Sequence, residues 1–371
     1  MTLPSKKARV IAFYLPQFHP ISENDEWWGP GFTEWTNVAK ARPLYRGHMQ
    51  PHVPGELGFY DLRLSETRVA QAELARDHGI EGFCYWHYWF AGKRILERPF
   101  NEVLESGQPE FPFCLAWANE TWSGVWHGRP KKILIEQTYP GECDYIAHFK
   151  AVLPAFVDTR YILVDGKPLF IVLRPDSIPD ARLFADVWRQ MAQEAGLPGL
   201  YILGFMRGNN VPEDYGLDGR LPMGWPDAPS KSMLEQFIFR KSGRTIGQLR
   251  TATAFKLRLG SPGPRIVSYE KVFQQAYVGE LDAGSYPVVY SCWDNTPRSG
   301  RRGYVLQGST PEKFAHLLTQ AIKQIAPRSP EHRLVFIKSW NEWAEGNYIE
   351  PDAEWGRGYL RAVRDVVDHE P

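Results

Sequence analysis

The chain has little of what marks several protein classes. Its 371 residues include only four cysteines, scattered and without a Cys-x-x-Cys pair. That argues against a disulfide-stapled framework and against a paired-cysteine metal or redox motif. Cys84 and Cys114 fall in apolar runs, where a small buried thiol is the expected reading. Neither sign of charge dominates, since 43 Lys and Arg balance 43 Asp and Glu. Nothing global therefore draws the chain to nucleic acid or to an anionic surface. No apolar run approaches the roughly 20 residues that cross a bilayer, so no integral membrane segment is expected. "VIAFYLP" near the start ends at Pro16 and offers no small-residue cleavage site. It reads as a strand rather than a signal peptide, which leaves the cytoplasm as the expected location.

Several motifs are missing as well. No Gly-x-Gly-x-x-Gly or Gly-x-x-x-x-Gly-Lys-Ser/Thr turn follows the first strand-like run, so no dinucleotide or triphosphate cradle is indicated. There is no His-Glu-x-x-His, no paired histidine spacing and no cysteine cluster, so neither a metal nor a cofactor is expected. The lack of any Asp-x-Asp weakens the case for a metal-dependent nucleotide-sugar transferase.

Aromatic residues are abundant instead. The chain carries 14 Trp and 17 Tyr, more than a core needs, and many stand beside His, Asn, Glu and Gly. Flat apolar faces next to hydrogen-bonding groups suit sugars. Eight β-type runs recur along the chain, at 9–20, 80–90, 112–122, 168–175, 200–206, 216–225, 286–297 and 333–346, most of them followed by a helical pattern. "LSETRVAQAELARDHG" is one such helix, expected to start at a Ser65 cap and to end at Gly79. Alternation of strand and helix argues for a parallel sheet, and eight repeats argue for a closed (β/α)8 TIM barrel. An open doubly wound sheet is the competing architecture. Residues 1–371 read as a single catalytic barrel domain with long loops at its C-terminal face and a basic insertion at about 228–264.

A barrel places its active site at the C-terminal ends of its strands. Polar and aromatic residues gather there: Tyr14, Gln17 and His19 after the first run, then Trp86, His87 and Tyr88. Trp117, Asn119, Glu120 and Trp122 end the third, Trp225 the sixth, and Trp293, Asp294 and Asn295 the seventh. Trp340, Asn341, Glu342 and Glu345 end the eighth, whereas the N-terminal ends ("RVIA", "IEGF", "YPVV", "RLVF") carry little chemistry. Packing alone does not segregate hydrogen-bonding side chains to one end. Single tryptophans fit rim packing as well as ligand contact, His87 also fits a structural role, and Glu120 also fits a simple ion pair. Glu342 and Glu345 are three apart, so in an extended strand they would face opposite sides. A turn after Asn341, with Gly346 allowing the bend, would let both face the barrel mouth. Two carboxylates flanking one bond are the usual equipment for glycoside cleavage.

The blocks "FYLPQFHP", "WWGPGFTEWTNV", "GFCYWHYWF", "FPFCLAWANETW", "LIEQTY", "CWDNTPR" and "SWNEWAEGNYIEPD" together resemble the WbsX-type family of bacterial polysaccharide clusters, which is related to the family-99 glycoside hydrolases, the endo-α-mannosidases. The resemblance spans residues 9 to 365. It implies a (β/α)8 barrel and a Glu-x-x-Glu pair at the end of the last strand. By that resemblance Glu342 matches the base toward the sugar's own 2-hydroxyl, and Glu345 the acid that protonates the leaving oxygen and later activates water. The implied intermediate is a 1,2-anhydro sugar, with retention of stereochemistry, on an α-manno or α-rhamno unit.

The expected function is thus a retaining endo-acting glycoside hydrolase or transglycosylase on an α-linked bacterial oligo- or polysaccharide. Two alternatives stay open. One is a glycosyltransferase of O-antigen, capsule or exopolysaccharide assembly, the other a non-catalytic carbohydrate-binding barrel.

Overall fold

In the computed structural model, described for residues 7–124, 129–208, 210–223, 263–274, 276–277 and 280–368, the eight expected runs all contain strands. These are β1 (Arg9–Tyr14), β2 (Gly82–His87), β3 (Phe113–Trp117), β4 (Lys167–Val172), β5 (Tyr201–Met206), β6 (Gly219–Pro222), β7 (Val288–Tyr290) and β8 (Leu334–Lys338). Each pairs in parallel with its neighbour in chain order from β1 to β6, and β7 pairs with β8 and β8 with β1. The ring closes between β6 and β7 through one parallel bridge, Arg220 to Ser285, where Arg220 N donates to Gly284 O at 2.7 Å and Tyr286 N to Arg220 O at 2.9 Å. Closure requires Gly219, because a Cβ there would lie 2.5 Å from Gly284 O. The sixth expected run therefore marks the seam of the barrel. The expected insertion at 228–264 falls almost wholly outside the described residues, as does Trp225.

Strand residues alternate between the barrel interior and the helix layer. Phe13 meets Trp86, Phe205 and Phe336 at ring-centre distances of 4.9, 5.5 and 5.8 Å, so β1, β2, β5 and β8 fill the interior together. The opposite parity faces outward. Tyr14 Oη donates to Gln71 Oε1 on helix Ser65–Asp77, and Tyr85 packs on Phe100 of helix Arg98–Ser106. Trp117 packs on His148 of helix Glu142–Phe156 and on Phe184 of helix Ala181–Glu194. Cys84 and Cys114 lie opposite each other in the β2–β3 register as free, buried thiols. Helix Ser65–Asp77 departs from expectation at its start: Ser65 is the first helical residue, Leu64 stands at the cap, and the Ser65 hydroxyl turns to Glu66. Among the described residues no helix is long and apolar enough to cross a membrane.

Candidate active site

The C-terminal ends of the strands open on a cavity of about 360 Å³. Seven of the residues singled out from the sequence line it: Gln17, Trp86, Tyr88, Glu120, Trp122, Glu342 and Glu345. The two glutamates converge because the chain turns sharply after β8. Asn341–Glu342 pairs antiparallel with Asn347–Tyr348 across a single 3-10 turn, Trp343–Glu345. Gly346 closes that turn at φ +55°, and a Cβ on it would come within 2.9 Å of Asp294 Cβ. Both the backbone conformation and the space demand glycine there.

The two carboxylates are held differently. Glu342 Oε2 accepts from Ser339 Oγ at 2.8 Å and from Asn347 Nδ2 at 3.3 Å, with Lys338 Nζ 3.7 Å away. Glu345 Oε1 accepts from Arg298 Nη1 at 2.6 Å. Arg298 also binds Glu34 Oε2, with Nη2 at 2.9 Å and Nε at 3.2 Å. Burial pushes the Glu345 carboxyl up, Arg298 pulls it down and Glu342 pushes it up again, leaving it at about 7. Glu345 is therefore partly protonated at neutral pH. Lys338 is buried, which disfavours its charge, yet Glu342, Tyr290 and Glu345 outweigh that and raise its pKa. Its ammonium stands 5.5 Å from the Trp86 ring centre and 5.7 Å from that of Trp293.

Glu34, Arg298 and Lys338 were not singled out from the sequence, and neither were Asn37, Trp28 or Phe32, which also line the cavity. A signal existed for Lys338: it stands two residues after inward-facing Phe336, so strand parity places it inside. Arg298 belongs to the quoted block "CWDNTPR" and Glu34 to "WWGPGFTEWTNV", but nothing local shows that they meet.

Parity also removes several expected residues from the cavity wall. Tyr14, His87 and Trp117 end their strands on the outward face. The His87 ring bonds His148 Nε2 at 2.8 Å, and burial drives its pKa down to about 3, so it is neutral. Trp117 Nε1 donates to Trp89 O. Three others stitch loops together. Asn119 exchanges hydrogen bonds with the Arg174 backbone and donates to Tyr139 Oη. Asn341 bonds both Leu15 N and Leu15 O, tying the β8 turn to the end of β1, and Asn295 Oδ1 accepts from Tyr304 N at 2.7 Å. His19 bonds Pro16 O, and its Nε2 has no partner among the described residues. Trp340 is fully buried against Phe83. Trp293 and Asp294 line a neighbouring cavity. Asp294 also fixes the start of the short helix Thr296–Ser299 by accepting from Thr296 N at 2.9 Å, and that helix carries Arg298. Among the described residues no cluster of His, Cys, Asp or Glu is arranged to hold a metal ion.

The sequence profile of a family described as "Glycosyltransferase WbsX" matches residues 10–363. The WxcX proteins of two strains of Xanthomonas campestris pv. campestris are 36% identical over all of this chain, which spans about half of their length, 50% in each case. Among solved structures, a glycoside hydrolase-like protein superposes with a TM-score of 0.58 at 14% identity, covering 98% of this chain and 94% of its own. A GH99 endo-alpha-mannosidase from Bacteroides thetaiotaomicron gives 0.56 at 13% identity, covering 97% and 96%. At these identities the likeness is one of fold.

Proposed function

The chain belongs to the WbsX family, and from that premise we propose that it is a retaining, endo-acting glycoside hydrolase or transglycosylase on an α-linked, manno- or rhamno-configured bacterial polysaccharide. The observation that carries this reading is the unequal holding of two carboxyls in one cavity. Glu345 is poised to give up a proton near neutral pH, while Glu342 is braced by a hydroxyl, an amide and an ammonium.

The reaction is the one that the resemblance to family-99 glycoside hydrolases implies, with the two carboxyls in its two roles. Glu342 takes the proton of the sugar 2-hydroxyl, whose oxygen attacks C1 from the face opposite the leaving group. Glu345 protonates the leaving oxygen as the C1–O bond breaks, giving a 1,2-anhydro sugar and a free chain end. Water, or an acceptor hydroxyl, then attacks C1. Glu345 takes the attacking proton, the bond from C1 to the 2-oxygen opens, and Glu342 returns its proton to that oxygen. Each carboxyl ends as it began, and two inversions give retention. Backside attack requires the 2-hydroxyl trans to the leaving group, as in α-mannosides and α-rhamnosides. Trp86, Tyr88 and Trp122 supply faces for the sugar rings, and the Trp86 indole Nε1 has no hydrogen-bond partner among the described residues.

Mass spectrometry of products tests the reading. One set of reactions contains α-mannan and α-rhamnan oligosaccharides alone, a second set adds nucleotide sugars, and both are repeated with Glu345→Gln. The expected result is new reducing ends or transfer products without a nucleotide, lost in the variant. Nucleotide release coupled to chain extension would overturn it in favour of a glycosyltransferase.

A further inference from the structure

A second cavity, of about 340 Å³, lies between the 45–52 loop, the end of β7 and the 346–359 segment. It backs directly onto the first. Glu345 lines one cavity and Gly346 the other, and Trp293 in the second stands 5.7 Å from the ammonium of Lys338 in the first. Except for its nearness to those residues, the proposed reaction makes no use of it.

Its polar groups are fixed by one another. Asp294 Oδ2 accepts from Nε2 of His48 and Nε2 of Gln50, both at 2.7 Å. The Leu44 N–H occupies His48 Nδ1, so the ring proton is on Nε2 and points to Asp294. Tyr348 Oη donates to Asp352 Oδ2 at 2.9 Å and therefore accepts from His52 Nδ1, also at 2.9 Å. That leaves His52 Nε2 as a bare acceptor with no partner among the described residues. Burial lowers the His52 pKa and keeps the ring neutral.

Charge narrows the ligand. Asp294, Asp352 and Glu354 line the cavity, and its described lining includes no Lys or Arg. An acidic sugar or a phosphate would meet three carboxylates in the wall, against one ammonium behind it, that of Lys313, which is engaged with Gly308 O at 2.9 Å. The two aspartates already accept three hydrogen bonds each from the protein, so they do not call for a bound cation either. Rings of Tyr45, Trp355 and Tyr359 add apolar faces to a wall of fixed acceptors. A volume of this size is that of a small-ligand site.

We propose that this second cavity binds a further, non-reacting and uncharged sugar unit of the polysaccharide, with its C–H faces on the aromatic rings and a hydroxyl donating to His52 Nε2. The proposal rests on the carbohydrate reading of the first cavity. Binding there would hold the polymer beside the catalytic turn without taking part in bond cleavage, which is how remote contacts contribute to turnover of long substrates.

Isothermal titration calorimetry on the full chain carrying Glu345→Gln is the test. The probes are α-mannobiose and α-rhamnobiose, an α-linked diuronate and an amine-bearing disaccharide. Gln307 is exposed and lines the second cavity. Gln307→Trp therefore fills the cavity from its mouth, and Met49→Trp does the same from the opposite loop if the first variant folds poorly. The expected result is a second equivalent of a neutral disaccharide, lost in the filled variants while the first equivalent remains. A single equivalent, a second one that survives both fillings, preference for the charged disaccharides, or no binding of either neutral one would each overturn the proposal. Turnover of polymer by the unsubstituted protein reads the first cavity separately. Turnover with only one equivalent bound keeps the functional reading and removes the second site, and a second-cavity equivalent without turnover does the reverse.

Discussion

Glu345 and Glu350 belong to one short segment, both are buried, and burial pushes both carboxyls up to about 7. Their surroundings differ in kind. Glu345 lines an open cavity beside a guanidinium that it shares with Glu34. Glu350 lines neither cavity and is enclosed by neutral donors: Tyr60 Oη at 2.9 Å, Gln71 Nε2 at 2.7 Å and Trp343 Nε1 at 2.6 Å. Glu350 thus ties the turn that carries the pair to the middle of helix Ser65–Asp77, through Gln71, and to Tyr60 in the loop before that helix. A raised carboxyl pKa reports burial; only a path to substrate turns it into an acid catalyst.

The largest effect should separate the two residues by rate. Glu345→Gln is expected to lower kcat/KM on polysaccharide by about 10²–10⁴-fold, the usual worth of a positioned acid. Glu350→Gln should leave kcat/KM nearly unchanged in protein that is still folded. Steady-state kinetics on both variants would erase the distinction if the losses were equal.

Stability should separate them in the other direction. An amide at 350 places an N–H₂ against donors that need an acceptor, so Glu350→Gln should cost about 1–3 kcal/mol in denaturant unfolding. Glu345→Gln, on a cavity wall, should cost less.

Two pH measurements sharpen the contrast with smaller effects. The proposed reaction requires protonated Glu345, so kcat/KM should fall as pH rises through about 7. Arg298 lowers this pKa and Glu34 raises it. Arg298→Met should therefore move the alkaline limb to higher pH, and Glu34→Gln should move it to lower pH. Shifts in the same direction would contradict the assignment. For Glu350 the folded pKa lies above the ordinary carboxyl value of 4.5. Its stabilising contribution is then fully present below about 4.5 and is lost as pH rises through about 7. Unfolding free energy measured across that window should vary less with pH in Glu350→Gln than in the parent chain.

Much of this arrangement could be read from the residues. Eight apolar runs with polar, aromatic C-terminal ends named the barrel and the end at which the cavity with the two glutamates opens. The Glu-x-x-Glu-Gly spacing named the turn, because Gly346 is the only residue type that fits both its backbone and the approach of Asp294. Strand parity holds more than the runs alone show. It turns Tyr14, His87 and Trp117 toward the helices and brings Lys338 into the cavity. The bond between Arg298 and Glu345, and its sharing with Glu34, joins three distant segments. No local pattern encodes it, since it depends on how two loops and a turn stack over the barrel mouth. Asn119, Asn295 and Asn341 read as ligand-binding amides but are loop fasteners, a use of the same side chain that composition cannot distinguish.

The most direct test of the account is the leaving-group dependence of Glu345→Gln. Turnover of the variant and its parent would be compared on an unactivated α-linked oligosaccharide and on an aryl glycoside of the same sugar whose leaving group needs little protonation. A large loss is predicted on the first and a much smaller loss on the second. Equal losses on both would contradict the role of Glu345 as the acid.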